Sequence, residues 1–421
     1  MLLDRTKFLR PADFFATALA ASLPWSTSAT GILAVLWILA VIPALDLPLL
    51  RRVCLTPAGY LPVILVGLGV AGMLWAEVPW AERFNGLSSF LKLLFIPLLL
   101  CHFTRSERAH HVLIAFIASS FLLLIASWSL FVWPLMPLFG EPKGLGIPVK
   151  DYISQGAMFT ICIFILAYLA VGHWRDGRLH LSLFLTALIL IFVANIFYIA
   201  TSRTSLVVVL ILLIVFGFRL FGWKGSVGLF VAFMILMAVA WPSANYLRTR
   251  VTTLIKEVTA HQPTGVATPA GERLEFWKRS IESIKASPVF GHGTGSIPDQ
   301  FRRAAAGRTG MAGEASVNPH NQIFAIGIQL GFIGIAMLLA MWIAHMALFR
   351  FEGFSAWAGL VIVLQNIVGS MFNSHLFDFT HGWAYVVGVG VAGGIALRVS
   401  SGRPASDTFV AGAGNVQHPL D

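Results

Sequence analysis

Apolar residues run along this chain in long blocks broken by short polar interruptions. Twelve blocks approach the roughly 17–25 mainly apolar residues that a helix needs to cross a bilayer. They lie near 9–24, 29–46, 57–75, 86–103, 111–134, 154–172, 181–199, 204–221, 226–242, 321–349, 356–374 and 382–398. The pattern predicts an all-α polytopic membrane protein: spans one to nine over 1–242, a helical domain over 243–319, spans ten to twelve over 320–398, and a tail over 399–421. The first block carries Ala18-Leu-Ala20, which resembles a signal-peptidase site behind Arg5, Lys7 and Arg10. Because a second block follows at once, the pair reads as a retained hairpin turning at Leu23-Pro-Trp-Ser.

Composition agrees. Hydrophobic residues make up 57% of 421 positions and charged ones 11%, with a mean hydropathy of +0.81, whereas soluble domains carry about a quarter charged residues. Charge then sets orientation, since cytoplasmic loops collect Lys and Arg. One set of loops holds Arg5, Lys7, Arg10, Arg51, Arg52, Arg105, Arg108, Arg175, Arg178, Arg219, Lys224, Arg350, Arg398 and Arg403. The alternate short loops hold only Arg83, Lys143, Lys150 and Arg203, so both termini are expected in the cytoplasm. Cys54, Cys101 and Cys162 lie in or near spans, leaving the outer domain without a disulfide framework.

The 77-residue segment 243–319 falls on the outer side yet carries ten Lys and Arg against six Asp and Glu. Long loops translocate largely regardless of charge. The excess suits anionic lipid headgroups or an anionic substrate. Within it, 244–258 reads as a short helix with Leu247, Val251, Leu254 and Val258 at helical spacing, and 262–271 as a turn-rich patch. A second helix over 272–286 places Leu274, Trp277, Ile281 and Ile284 on one stripe, with Glu275 to Arg279 and Lys278 to Glu282 as i,i+4 pairs, and Pro288 stops it. A basic, mobile loop is expected from Phe301 to Glu314.

Gly291-x-Gly293-x-Gly295 is not read as a nucleotide loop. Phosphate-cradling versions need a strand before and a helix after, whereas a helix precedes here and Pro298 follows. A tight turn is the reading, with backbone amides that could also meet a phosphate. Nothing points to nucleic acid.

Five histidines fall outside: His261, His292, His320, His375 and His381. None has the closely spaced partners that metal ligation needs, so no metal or other cofactor is expected. In Asn318-Pro-His-Asn321, Pro319 fits a first helical turn and leaves Asn318 to cap. His320 then sits near the positive helix end, which favours neutral imidazole and suits a base. A capping cluster without chemistry explains the same residues. Arg203, in Tyr198-Ile-Ala-Thr-Ser-Arg-Thr-Ser, either snorkels to headgroups or meets an anion together with Thr201, Ser202, Thr204 and Ser205. Arg273 opens the 272–286 helix and would otherwise be a solvated charge, and Lys92 reads as a snorkelling residue.

Together these stretches resemble the O-antigen ligase and O-antigen polymerase superfamily of bacterial membrane glycosyltransferases. The resemblance rests on Ser202-Arg203 after a span, on Arg273-x-x-x-Trp277 leading to Pro288-x-x-Gly-x-Gly, and on His320-Asn321 followed after nine residues by Gly331-x-x-Gly334. It covers roughly 195–340. The resemblance implies a GT-C-like architecture and metal-independent, inverting transfer of O-antigen polysaccharide from undecaprenyl diphosphate to lipid A-core. It implies His320 as general base and Arg203 and Arg273 on the diphosphate. Ser202, Asn318, Asn321 and Trp277 would contact substrate, and Arg302, Arg303 and Arg308 would meet lipid A-core phosphates. An O-antigen polymerase or a protein O-oligosaccharyltransferase would use nearly the same donor site. A twelve-helix transporter expects related halves and intramembrane charges; no repeat is visible, and mid-span polar residues are sparse (Asn195, Gln329, Gln365, Asn366). A lipid-linked-substrate flippase stays open.

Overall fold

A computed structural model describes residues 9–134, 144–242, 248–249, 252–253 and 268–400. The predicted helix over 244–258, most of the 262–271 patch, His261 and the tail lie outside the described residues, apart from a few positions. Among the described residues the chain is helical, with one isolated bridge between Gly144 and Ile147 and no strand.

Helices α1 (Leu9–Ser22) and α2 (Thr27–Val41) form the predicted hairpin, and the Ser26 hydroxyl caps α2 by accepting from the Ala29 amide. Helix α3 (Leu47–Cys54) meets α4 (Pro57–Gly72) at a bend of 81°. Helices α5 (Trp80–Leu91) and α6 (Phe95–Arg105) are joined by a 3-10 turn at Lys92–Leu94. Pro97 explains that turn, because it offers no N–H and crowds the carbonyl four residues back. Helices α7 (Ala109–Val132), α8 (Tyr152–Arg175) and α9 (Leu179–Tyr198) follow. Helix α10 (Arg203–Ala240) breaks at Gly222, whose φ of 68° is left-handed. Ser226 Oγ donates to the Ile214 carbonyl at 2.8 Å, which twelve residues of straight helix would hold about 18 Å away. The chain therefore doubles back there, as the predicted blocks 204–221 and 226–242 require. After α11 (Pro269–Ala286) and α12 (Ile297–Ala305) come α13 (Gln322–Leu348), α14 (Phe354–Gly369) and α15 (Phe379–Ser400).

Among the described residues, eight helical stretches, with α5 and α6 counted as one and α10 counted once, are long and apolar enough to cross a membrane, or nine if the bent α3 and α4 pair is one span. The protein is a polytopic all-α membrane protein. Helix α1, at 14 residues, and α14, at 16, are shorter than the spans expected over 9–24 and 356–374. Helix α14 ends at Gly369, so Ser370 to Asp378 form a loop rather than the end of a span.

Beyond the spans, α11 and α12 dock on the first half of α13. Phe276, Ile284, Ile297, Phe301, Ala325 and Ile328 make the core of that contact. Half of the expected stripe on α11 faces inward, with Ile284 buried and Trp277 half-buried against Phe324, but Leu274 and Ile281 are 38% and 42% exposed while Phe276 and Ser280 are buried beside Glu275 and Arg279. Phe276 takes the inner face because its ring packs with Phe301 and Ile284 in the contact with α13. The expected mobile loop from Phe301 is also partly helix. Pro298 sits in the first turn of α12, where its missing N–H costs nothing, and Phe301 at 2% exposure anchors it.

Lys92 does not snorkel. It is buried, and its Nζ donates to the carbonyls of Phe377 and Asp378 at 2.9 and 2.7 Å. The 3-10 turn that Pro97 imposes aims it inward.

Candidate active site

Two glycine motifs that are far apart in sequence form one joint. Helix α13 is interrupted at Gly331, in left-handed backbone at φ 60°, and the segment after α11 inserts there. Phe332 N donates to Pro288 O at 2.7 Å, while His292 N and Gly293 N donate to the carbonyls of Ile328 and Gln329. Thr294 N reaches Gly72 O, and Gly295 N reaches Gln329 Oε1 at 2.8 Å. A Cβ on Gly293 would stand 2.4 Å from Ala76 Cα, and one on Gly331 would stand 2.3 Å from Val289 O. The tight-turn reading of the Gly-x-Gly-x-Gly stretch therefore fits, and its amides are spent on protein carbonyls and Gln329 rather than offered to a phosphate. This joint fixes α11 against α13.

His320 lies where α11 crosses the start of α13. The helix begins later than expected: Asn321, not Asn318, is the cap, accepting from Ile323 N and Phe324 N, and His320 precedes it in left-handed backbone at φ 53°. Asn318 instead holds the turn. Its Oδ1 accepts from His320 N at 2.9 Å and from Ser374 Oγ at 2.7 Å, and its Nδ2 donates to Asn373 Oδ1 at 3.0 Å. Asn321 Nδ2 donates to Met371 O, Gln322 N donates to Ser370 O, and Gln322 Oε1 accepts from Leu376 N and Phe377 N. The polar run before α13 is thus a set of clamps on the loop 370–378.

The half-buried His320 ring stacks on Phe276, with centroids 6.1 Å apart. Its Nδ1 lies 3.1 Å from Asn373 Oδ1. An acceptor there fixes the proton on Nδ1 and leaves Nε2 as the lone-pair nitrogen. Burial first, then the Arg273 charge, push the imidazole below its ordinary pKa, and the Asn373 bond opposes them. The neutral form is favoured, by burial and a neighbouring cation more than by a place inside the helix. Trp277, one turn past Arg273, meets Phe324 edge-on at 6.1 Å.

Arg203 is the first residue of α10 and is half-buried. Ser202 caps that helix: its Oγ accepts from Ser205 N at 2.9 Å and donates to Ser205 Oγ at 2.6 Å, so its hydroxyl is committed to placing Arg203. The next residues, Thr204 and Ser205, line a small cavity with Gln365 and His375, which brings the start of α10 to the loop that holds Asn373. Arg302 and Arg303 sit on α12 with ion-pair partners of their own. Arg302 pairs with Glu82 at 3.1 Å and Arg303 with Asp299 at 2.8 Å, and Arg308 is exposed.

The loop 370–378 is the part of the site that the sequence pattern hides. His375 and His381 stack at 3.9 Å, both buried, and Asp378 Oδ1 lies 3.1 Å from His381 Nδ1. Both His375 ring nitrogens lack a hydrogen-bond partner among the described residues. Burial pushes the Asp378 carboxyl up, but the bonds and charge of His381 outweigh it and hold the group below the ordinary carboxylate range. Arg279 is a second addition: almost fully buried, it donates to Glu314 O at 2.5 Å and lies over Phe276. Among the described residues no three His, Cys, Asp or Glu side chains group as metal ligands would.

These features define a polytopic α-helical membrane protein with a histidine and arginines gathered where a loop domain meets its spans. Residues 188–339 match the O-antigen ligase family, so that stretch of the chain is similar to the family. The matched stretch contains Arg203, Arg273, Trp277, His320, Gly331 and Gly334 but ends before the 370–378 loop. No curated protein matches the chain.

Proposed function

We propose that the protein is an O-antigen ligase. It moves a polysaccharide from undecaprenyl diphosphate to a sugar hydroxyl of lipid A-core, at the outer face of the bacterial inner membrane, with both termini cytoplasmic. The observation that carries this reading is the placement of His320, stacked on Phe276 with its Nδ1 3.1 Å from Asn373 Oδ1 and under the charge of Arg273, inside the segment matched to the family.

The chemistry needs little else. A lipid diphosphate is already a competent leaving group, and its charge calls for guanidinium groups rather than a protonating acid. His320 Nε2 takes the proton of the acceptor hydroxyl as that oxygen attacks the anomeric carbon. The new C–O bond forms on the face opposite the leaving group, the bond from anomeric carbon to phosphate oxygen breaks, and undecaprenyl diphosphate departs with inversion. Arg273 and Arg203, the latter at the N-terminus of α10 where backbone amides also favour anions, stabilise the charge that grows on the diphosphate. Ser202, Asn318 and Asn321 support these groups by holding the backbone that presents them, and Trp277 walls the site.

The test is reconstitution with lipid-linked polysaccharide and purified lipid A-core. Product on lipid A-core is expected, with transfer lost in His320→Ala and Arg203→Ala protein of unchanged folding. Lengthened lipid-linked chains alone would reassign the protein as a polymerase, and wild-type rates in both variants would remove the mechanism.

A further inference from the structure

Away from His320, the joint between the loop domain and α4 encloses a second polar site. A cavity of about 180 Å³ opens between the 75–78 turn and the 287–300 segment. Trp75, Glu77, His292, Ser296, Asp299 and Gln300 line it. Nothing in the mechanism above uses them.

The chemistry of this lining is specific. Trp75, 37% exposed, meets the Phe290 ring edge-on at 6.2 Å, so it offers aromatic surface held by packing rather than free to rotate. Asp299 is steadied by Arg303 at 2.8 Å and keeps carboxylate lone pairs to spare. Gln300 Oε1 accepts from Ser283 Oγ, which fixes the amide and aims its nitrogen as a donor. His292 Nε2 bonds to the Ser283 carbonyl at 2.9 Å, so the proton sits there and Nδ1 is left as an acceptor. Ser296 is 1% exposed, and its hydroxyl has no partner among the described residues. A buried hydroxyl left unpaired costs free energy and calls for a ligand or water.

Fixed donors, acceptors and a carboxylate beside one aromatic ring match the two-sided character of a pyranose, hydroxyls at the rim and C–H groups on the face. The cavity is smaller than the roughly 300–1,000 Å³ that encloses a drug-sized ligand, which suits one ring of a longer chain passing through an open site. We propose that this cavity binds a sugar unit of a glycan substrate, remote from the reacting carbon. Helix α11 sets the separation: Phe276 stacks on His320, and Ala286 precedes the cavity residue Ser287. Ten residues of helix span about 15 Å, so the bound unit lies several sugars from the transferred bond. The inference rests on the glycosyltransferase reading. The same ring chemistry occurs in the donor polysaccharide and in the acceptor core.

Binding is measured by calorimetry on the full chain in detergent, with two probes: O-polysaccharide released from its lipid carrier, and delipidated core oligosaccharide. One of the two is expected to bind wild-type and His320→Ala protein equally. Trp75→Ala should weaken it at least tenfold and Trp75→Phe much less. Ser296→Ala removes a hydroxyl that bonds to nothing described, so it should weaken binding severalfold without lowering Tm. Which probe binds identifies the source. If neither probe binds, or if Trp75→Ala and Ser296→Ala bind like wild type, the subsite is wrong even where transfer persists. Glycan binding at this cavity together with full transfer by His320→Ala would overturn the mechanism and leave the subsite standing.

Discussion

His320 holds a backbone conformation, φ 53°, that costs a non-glycine residue about 1–2 kcal/mol. The two bonds at Asn318 Oδ1, from His320 N and Ser374 Oγ, hold it there. Asn318→Ala leaves both donors unmet and should cost about 1–3 kcal/mol. A thermal melt would read that loss, with transfer falling more steeply than donor binding. The ring itself makes a prediction with a definite sign. Base catalysis needs neutral imidazole, and burial together with Arg273 lowers the His320 pKa from its ordinary value of 6.5. Activity should therefore hold as pH falls through 6.5 and decline only below it. Arg273→Gln removes the cation, lets the pKa rise and moves the acid limb of the normalised rate profile to higher pH. Asn373→Ala, which removes the bond favouring imidazolium, should move that limb the other way. A limb that stays put in both variants would show that another group titrates. For His320, the downward direction of the pKa was legible in the sequence, though from the helix dipole rather than from burial and Arg273. Its partner Asn373 was not, because Met371 and Phe372 extend the apolar run and draw the expected span over the loop that α14 leaves uncovered.

At the level of elements, the joint between α11 and α13 decides whether Arg273 and His320 face each other. Its glycines separate two kinds of requirement. Gly293 needs both left-handed backbone, at φ 88°, and the absence of a side chain, since a Cβ would stand 2.4 Å from Ala76 Cα. Gly307 needs only the backbone, at φ 73°, with open space around it. Gly307→Ala should cost about 1 kcal/mol and leave transfer intact. Gly293→Ala adds overpacking to that strain, about 2–4 kcal/mol in all, and should abolish transfer by displacing α11. Melting curves and the assay above distinguish the two. Helix positions, the Gly222 hairpin and the tight turn at Gly291-x-Gly293-x-Gly295 could be read from apolar runs and glycine placement. The inner face of α11 could not, because a period of 3.6 places Leu274 and Ile281 on a plausible stripe and carries no information about docking on α13. Helix α12 escaped for a similar reason: Pro298 reads as a stop in isolation and as a first turn once Phe301 is buried.

For the whole molecule, loop contacts divide as the charge bias does. Arg105 donates to Ala44 O, Arg398 to Ser106 O and Glu107, Arg175 to Leu220 O and Arg219 to Phe349 O, so the Arg-rich loops bond to one another. The alternate loops do likewise: Lys150 donates to Leu23 O, Thr294 N to Gly72 O, and residues 318–322 clamp 370–378. Two loop clusters formed by alternate connections are what threading through a bilayer produces, and the basic cluster is expected to remain in the cytoplasm. Under the proposed ligase function, that assignment puts His320 and the Trp75 cavity on the side where a lipid-linked polysaccharide would await transfer. Single cysteines test it directly in a background lacking Cys54, the one cysteine of the three that is not buried. Glu77→Cys, at a position whose side chain is 85% exposed, should react with a membrane-impermeant maleimide in cells whose outer membrane alone is opened. Arg178→Cys, exposed in a basic loop, should react only after the inner membrane is permeabilised. Labelling of both from the same side would break the alternation of the spans, and the reverse pattern would move the site to the cytoplasmic face and exclude lipid A-core as the acceptor on the outer leaflet.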